Sequence, residues 1–98
     1  MAVSEVRKEE KLNALQTLFE QSYFDYKDAK RRIDLFEKQS ELAGKAISIL
    51  ESEYSTSGDN FEEILRMERS LLKYALERER AYSDKQASIA FINYLMGL

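Results

Sequence analysis

The side chains with the most evident chemistry lie in one polar stretch. Asp59, Asn60, Glu62 and Glu63 place three carboxylates and an amide within five consecutive positions. Such a set suits general acid–base work or oxygen ligation of a hard cation. Acid–base work requires two carboxyls that converge on one reacting atom. Glu62 and Glu63 are neighbours, and neighbouring side chains leave a helix about 100° apart. An EF-hand calcium loop spaces its oxygen ligands along the loop and closes with a bidentate glutamate. That spacing is missing here. A basic patch is a third option, built from Arg66, Arg69, Arg78 and Arg80, but Glu62, Glu68, Glu77 and Glu79 interleave with it. Alternating signs of this kind read as a salt-bridged, solvated surface. With no histidine and no cysteine, the commonest general base and the thiolate nucleophile are both missing. No enzymatic activity, metal or cofactor is expected.

The acidic stretch has a plainer use in positioning helices. Ser55, Thr56, Ser57, Gly58, Asp59 and Asn60 form the one cluster of turn-forming residues in the chain. Gly58 can take a positive φ without steric cost, as the position just past a helix end requires. Asp59 or Asn60 can then cap a second helix, with Glu62 and Glu63 at capping-box spacing and near the positive end of its dipole. The sequence therefore predicts an all-α antiparallel hairpin: a helix over about 4–54, a turn over 55–60 and a helix over about 60–96.

Composition agrees. The 98 residues contain no proline and only three glycines, and 34% are charged, so helix breakers are scarce outside the turn. A net charge of −3 gives no footprint for nucleic acid. The first residues carry no apolar core of a signal peptide, and no apolar run has the length of a membrane-spanning helix. A soluble polypeptide is expected.

In the first helix, Leu15, Phe19, Ser22, Tyr26, Ala29, Ile33, Phe36, Ser40, Ala43, Ile47, Leu50 and Tyr54 follow alternating steps of four and three. This is the repeat of a coiled-coil seam. The stripe dissolves before Leu12 into charges, so that end is expected to fray, and residues before about Thr17 overhang the shorter second helix. Asp28–Arg32, Asp34–Lys38 and Glu41–Lys45 sit acid-first at i,i+4. Each such pair contributes only about 0.2–0.5 kcal/mol.

If the turn centres between Ser57 and Gly58, Tyr54 faces Phe61, Leu50 faces Leu65, Ala43 faces Leu72, Tyr26 faces Ile89 and Ser22 faces Asn93. That register also puts Glu68, Glu79 and Gln86 in the seam. A rotation toward Ile64, Leu71, Ile92 and Leu95 removes them, so the register stays open between the two. Both helices have apolar residues to spare. Leu35, Leu42 and Ile49 recur every seventh position on the first, and Met67, Leu71, Tyr74, Ala81, Phe91 and Leu95 flank the second. Gly44 in mid-helix costs about 1 kcal/mol relative to alanine, and a closely packed neighbouring helix would account for it. Unspent apolar stripes of this sort point to self-association.

Tyr54, Gly58, Phe61, Ile64-Leu65 and Leu71-Leu72, followed by Tyr82, Ala87, Ala90 and Tyr94-Leu95-Met96-Gly97, resemble the TolC-like outer-membrane efflux proteins in order and spacing. The upstream stretch from Glu20 to Ala29 and Arg31-Arg32-Ile33 is similar to that family's last long helix. The resemblance extends from about Leu12 to Gly97. In the family the glycine usually stands three residues after the tyrosine, whereas Ser57 holds that place here and Gly58 follows.

The resemblance implies a fragment: the last periplasmic hairpin of a trimeric channel whose membrane β-barrel lies outside these residues. It implies that Ser57, Gly58, Asp59 and Asn60 form a tip that docks a periplasmic adaptor linked to an inner-membrane pump, with Tyr54 and Phe61 bracing the turn. The rival expectation is a free-standing cytoplasmic coiled-coil scaffold that dimerises through its exposed stripes.

Overall fold

With no proline and glycine confined to positions 44, 58 and 97, little opposes helix formation before the turn. The computed structural model describes residues 2–98, with side chains from Ser4 onward. Helix α1 spans Ala2–Ser57 (56 residues) and α2 spans Phe61–Met96 (36 residues), the two elements of the described residues. They form an all-α antiparallel hairpin, a rod of 83 × 19 × 13 Å. At a rise of about 1.5 Å per residue, α1 alone accounts for the long dimension. Among the described residues no helix is long and apolar enough to cross a membrane.

The turn is tighter than the expected 55–60, because Ser55, Thr56 and Ser57 complete a further turn of α1. Their hydroxyls fold back onto carbonyls of the preceding turn: Ser55 to Ser52 at 2.9 Å, Thr56 to Ser52 at 3.2 Å and Ser57 to Glu53 at 2.9 Å. Back-bonding satisfies the hydroxyl without leaving the helix. At the other end the charged segment remains helical to Ala2 rather than unwinding. Every residue from Ser4 to Ala14 is exposed, as an unpartnered overhang must be.

The α1 seam forms over most of its expected row, but Phe19 and Tyr54, toward its two ends, are exposed. Ser22, Ala29, Ile33, Ala43 and Ile47 are buried, and Leu15, Tyr26, Phe36, Ser40 and Leu50 are half-buried. The α2 seam is rotated by one residue from the register centred on the turn. Ile64, Ala81 and Leu95 are buried, with Met67, Leu71, Tyr74, Arg78, Lys85, Ser88 and Ile92 half-buried between them. Phe61, Leu65, Leu72, Tyr82 and Met96, expected at the seam, are exposed instead. Met67, Leu71, Tyr74, Ala81 and Leu95, expected on the flank, are the seam. The rotation moves Glu68, Glu79, Gln86 and Asn93 into solvent. Arg78 and Lys85 take seam places, where long aliphatic stems can line the contact; Arg78 Nε is buried there without a hydrogen-bond partner, while Nη2 lies 3.7 Å from Glu79.

Counted from the turn, Leu50 and Ile64 are the first seam positions, Ile47 and Met67 the second, Ala43 and Leu71 the third, Ser40 and Tyr74 the fourth, and Phe36 and Arg78 the fifth. Stacking of Phe36 on Tyr74, with ring centroids 6.4 Å apart, ties the fourth level to the fifth. The core is one thin row in which no large side chain is fully enclosed.

Candidate docking tip

The tip is built by ending one helix and starting another within three residues. Gly58 closes α1: its N–H donates to the Tyr54 carbonyl at 2.8 Å while φ is +77°. This is the left-handed residue that terminates many helices. A Cβ on Gly58 would meet nothing within 4 Å, so the backbone angle, not crowding inside the chain, calls for glycine. Asn60 is left-handed too, at φ 80° and ψ 8°. Asparagine tolerates that region better than most residues. Its carbonyl accepts the Ile64 N–H at 3.0 Å, the first hydrogen bond of α2.

The capping expected of Asp59 or Asn60 does not form. Asn60 precedes α2 but its side chain makes no cap hydrogen bond. In the left-handed conformation its amide points back across the turn, where Nδ2 donates to Glu53 Oε2 at 2.8 Å. Ser57 Oγ accepts the Asp59 N–H at 3.4 Å. Glu53 thus collects both the Ser57 hydroxyl, on its carbonyl, and the Asn60 amide, on its carboxylate. Glu53 was not among the residues singled out from the sequence. Its one legible signal was a carboxylate in the last turn before Gly58. Glu62 and Glu63 do lie in the first turn of α2, where the helix dipole favours them.

Ser57, Gly58 and Asp59 are exposed and Asn60 is half-buried. Tyr54 and Phe61 meet across the turn, with ring centroids 6.0 Å apart and planes tilted by 42°. Both keep large exposed faces, so their contact lies on the side of the turn and not in a sealed core.

Two polar ties cross the shaft. Arg32 donates through Nη2 to Asp84 at 2.9 Å and through Nε to Asp28 at 3.1 Å. Hydrogen bonding to Asp84 raises the Arg32 pKa, and Asp28, held first by Arg31 at 2.9 Å and then by Arg32, is lowered from the usual carboxylate value. On the opposite broad face the Tyr82 hydroxyl donates to Glu37 at 3.2 Å, and that carboxylate pushes the Tyr82 pKa up. Of the three i,i+4 pairs, Asp28–Arg32 and Glu41–Lys45 close, the latter at 3.4 Å. Neither crossing tie is visible as a local spacing.

No group of three or more metal-ligating side chains occurs among the described residues. Ala46, Ile49, Leu50, Glu63, Arg66 and Met67 line a shallow, mostly apolar groove near the tip. Asp25, Asp28, Arg32, Asp84, Ala87 and Ser88 line a polar one farther along. Comparison with family models, with curated proteins and with solved structures finds no match to this chain.

Proposed function

We propose that this chain is the last periplasmic helical hairpin of a trimeric, TolC-like outer-membrane efflux channel. It serves as part of a passive export duct and carries no catalytic activity. The observation that supports this reading best is the exposed tip at the end of a long hairpin. Ser57, Gly58 and Asp59 face outward there, and the Asn60 side chain leaves the first N–H groups of α2 uncapped. Such a tip offers N–H donors and a carboxylate to the backbone of an approaching helical hairpin, here the periplasmic adaptor that links the duct to an inner-membrane pump. The ordered residues from Tyr54 to Gly97 that resemble the family support the same reading.

Two measurements test it. Coding sequence upstream of Val3 should contain a signal peptide and alternating membrane strands. In the parent protein, a cysteine placed at Asp59 (D59C) should crosslink to the adaptor, and Gly58→Val should reduce that crosslink while trimer assembly and membrane insertion persist. A native start codon at Met1, or unchanged crosslinking in an assembled Gly58→Val trimer, would defeat it. The first of those results would favour the second reading, a cytoplasmic coiled-coil scaffold, which the uninterrupted heptad seam also suits.

A further inference from the structure

We infer that two copies of this chain exchange α2 at high concentration. The turn opens into one continuous helix, and the α1 seam of each copy packs on the α2 seam of the other. The inference is independent of the efflux reading, since it rests on the hairpin alone. What covers each seam is the same helix that covers it in the hairpin, supplied by a second copy.

Heptad spacing through the turn permits the exchange. Leu50 and Ile64, the first seam level, are fourteen residues apart, two whole heptads. A straight helix drifts about 20° per heptad, so on a continuous helix the two seams face within about 40° of each other. A gentle left-handed supercoil takes up that offset. Leu50, Tyr54, Ser57, Phe61 and Ile64 carry the steps of four and three across the turn without a break. Tyr54 and Phe61 are 43 and 55% exposed in the hairpin. In the exchanged dimer they become central positions of an unbroken seam.

The backbone at the tip is already half prepared. Gly58 N–H to Tyr54 and Ile64 N–H to Asn60 are both helical i,i+4 bonds, so they survive straightening. The N–H groups of residues 61 to 63 open α2 without an intrahelical partner, and Asn60 gives them no side-chain cap. A continuous helix pairs them. It also releases the positive φ of Asn60, which asparagine tolerates but does not favour. Against this, Gly58, Asp59 and Asn60 are poor helix formers, which keeps the closed hairpin dominant in dilute solution.

Every contact along the shaft has a place in the dimer. Facing seam positions lie equally far from Ser57 in sequence, as Leu50 and Ile64, Ile47 and Met67, and Ala43 and Leu71 do. A two-fold axis at Ser57 therefore reproduces each level twice, between copies instead of within one, in the isologous form of a swapped dimer. The Arg32–Asp84 and Tyr82–Glu37 ties re-form in the same way. The tip pair Tyr54–Phe61, with ring centroids 6.0 Å apart in the hairpin, meets again on both sides of the axis.

The test is small-angle X-ray scattering with sedimentation on the 98-residue chain refolded from urea, with circular dichroism to verify helix in each sample. At micromolar concentration the wild type should be a monomeric rod about 83 Å long. A short connection gives its two arms an effective concentration in the millimolar range, so refolding at about 1 mM lets exchange compete. There it should form a dimer of the same thickness and twice the length, about 165 Å. Gly58→Ala/Asn60→Ala removes the residues suited to positive φ and improves the helix, and should tighten dimerisation at least about a hundredfold. Two glycines inserted after Gly58 turn the seams to opposite sides of a continuous helix, so that chain should keep the shorter length at both concentrations. A wild type still monomeric at about 1 mM, a dimer that thickens without lengthening, or an inserted chain that lengthens like the wild type overturns the proposal. A helical Gly58→Ala/Asn60→Ala chain that dimerises no more tightly than the wild type does so as well. Should that variant lose its helices, the wild type and the inserted chain decide the matter.

Discussion

Arg32 lies between two carboxylates, Asp28 on its own helix at 3.1 Å and Asp84 on the other at 2.9 Å, and the bond to Asp84 is the one salt bridge seen to join the helices among the described residues. Its side chain is about a quarter exposed and that of Asp84 about half, so solvent screens much of the attraction. A double-mutant cycle of Arg32→Gln and Asp84→Asn should give a coupling of about 0.2–1 kcal/mol, falling with added salt. A coupling near zero at low salt would mean that the pair orients the helices without stabilising them.

The Tyr82–Glu37 bond sets a pH dependence. The folded Tyr82 pKa is raised, so its contribution is fully present below the ordinary tyrosine value of about 10 and is lost as pH rises through the higher folded value. Asp28 behaves in the opposite sense. Its folded pKa is depressed, so its contribution is present above the usual carboxylate value of about 3.9 and disappears as pH falls through the lower folded one. Thermal melts of wild type and Tyr82→Phe should differ at neutral pH and converge in strong alkali. A difference that persists there would rule out the hydroxyl as its source.

The rotated seam makes the two apolar rows of α2 unequal. Ile64 is 7% exposed and Leu72 is 61% exposed. Ile64→Ala should cost about 2–3 kcal/mol, and Leu72→Ala within about 0.5 kcal/mol, in a chain diluted to the monomer. Urea unfolding at low concentration reads the contrast. A reversed order would restore the register centred on the turn.

The two interior glycines should respond with opposite signs. Gly58 has φ +77°, so Gly58→Ala should destabilise by about 1 kcal/mol and Gly58→Val by more, through backbone strain alone. Gly44 lies within α1, and a Cβ there would meet nothing within 4 Å. Gly44→Ala should therefore stabilise the monomeric hairpin by about 0.5–1 kcal/mol. Weaker self-association of that same variant would mark Gly44 as a point of close approach between copies.

How much was legible follows from the kind of information each feature needs. The α1 seam from Leu15 to Leu50, the reversal at Gly58 and the antiparallel hairpin rest on local periodicity and on a residue that alone takes positive φ freely. Sequence by itself determined these. It did not determine which face of α2 turns inward, because α2 has two competing rows one residue apart. Phe61, Leu65, Leu72, Ala75, Tyr82, Ile89 and Met96 compete there with Ile64, Met67, Leu71, Tyr74, Ala81, Ile92 and Leu95. Periodicity scores the rows almost equally. The choice came from pairing with α1, which expels Glu68 and Glu79 and tolerates Arg78 and Lys85 by way of their aliphatic stems. The tip divides in the same way. Glycine at the reversal was readable, but the Asn60 amide had two partners within reach, the helix start and the Glu53 carboxylate. Its left-handed backbone, set by the geometry of the turn, turned it toward Glu53.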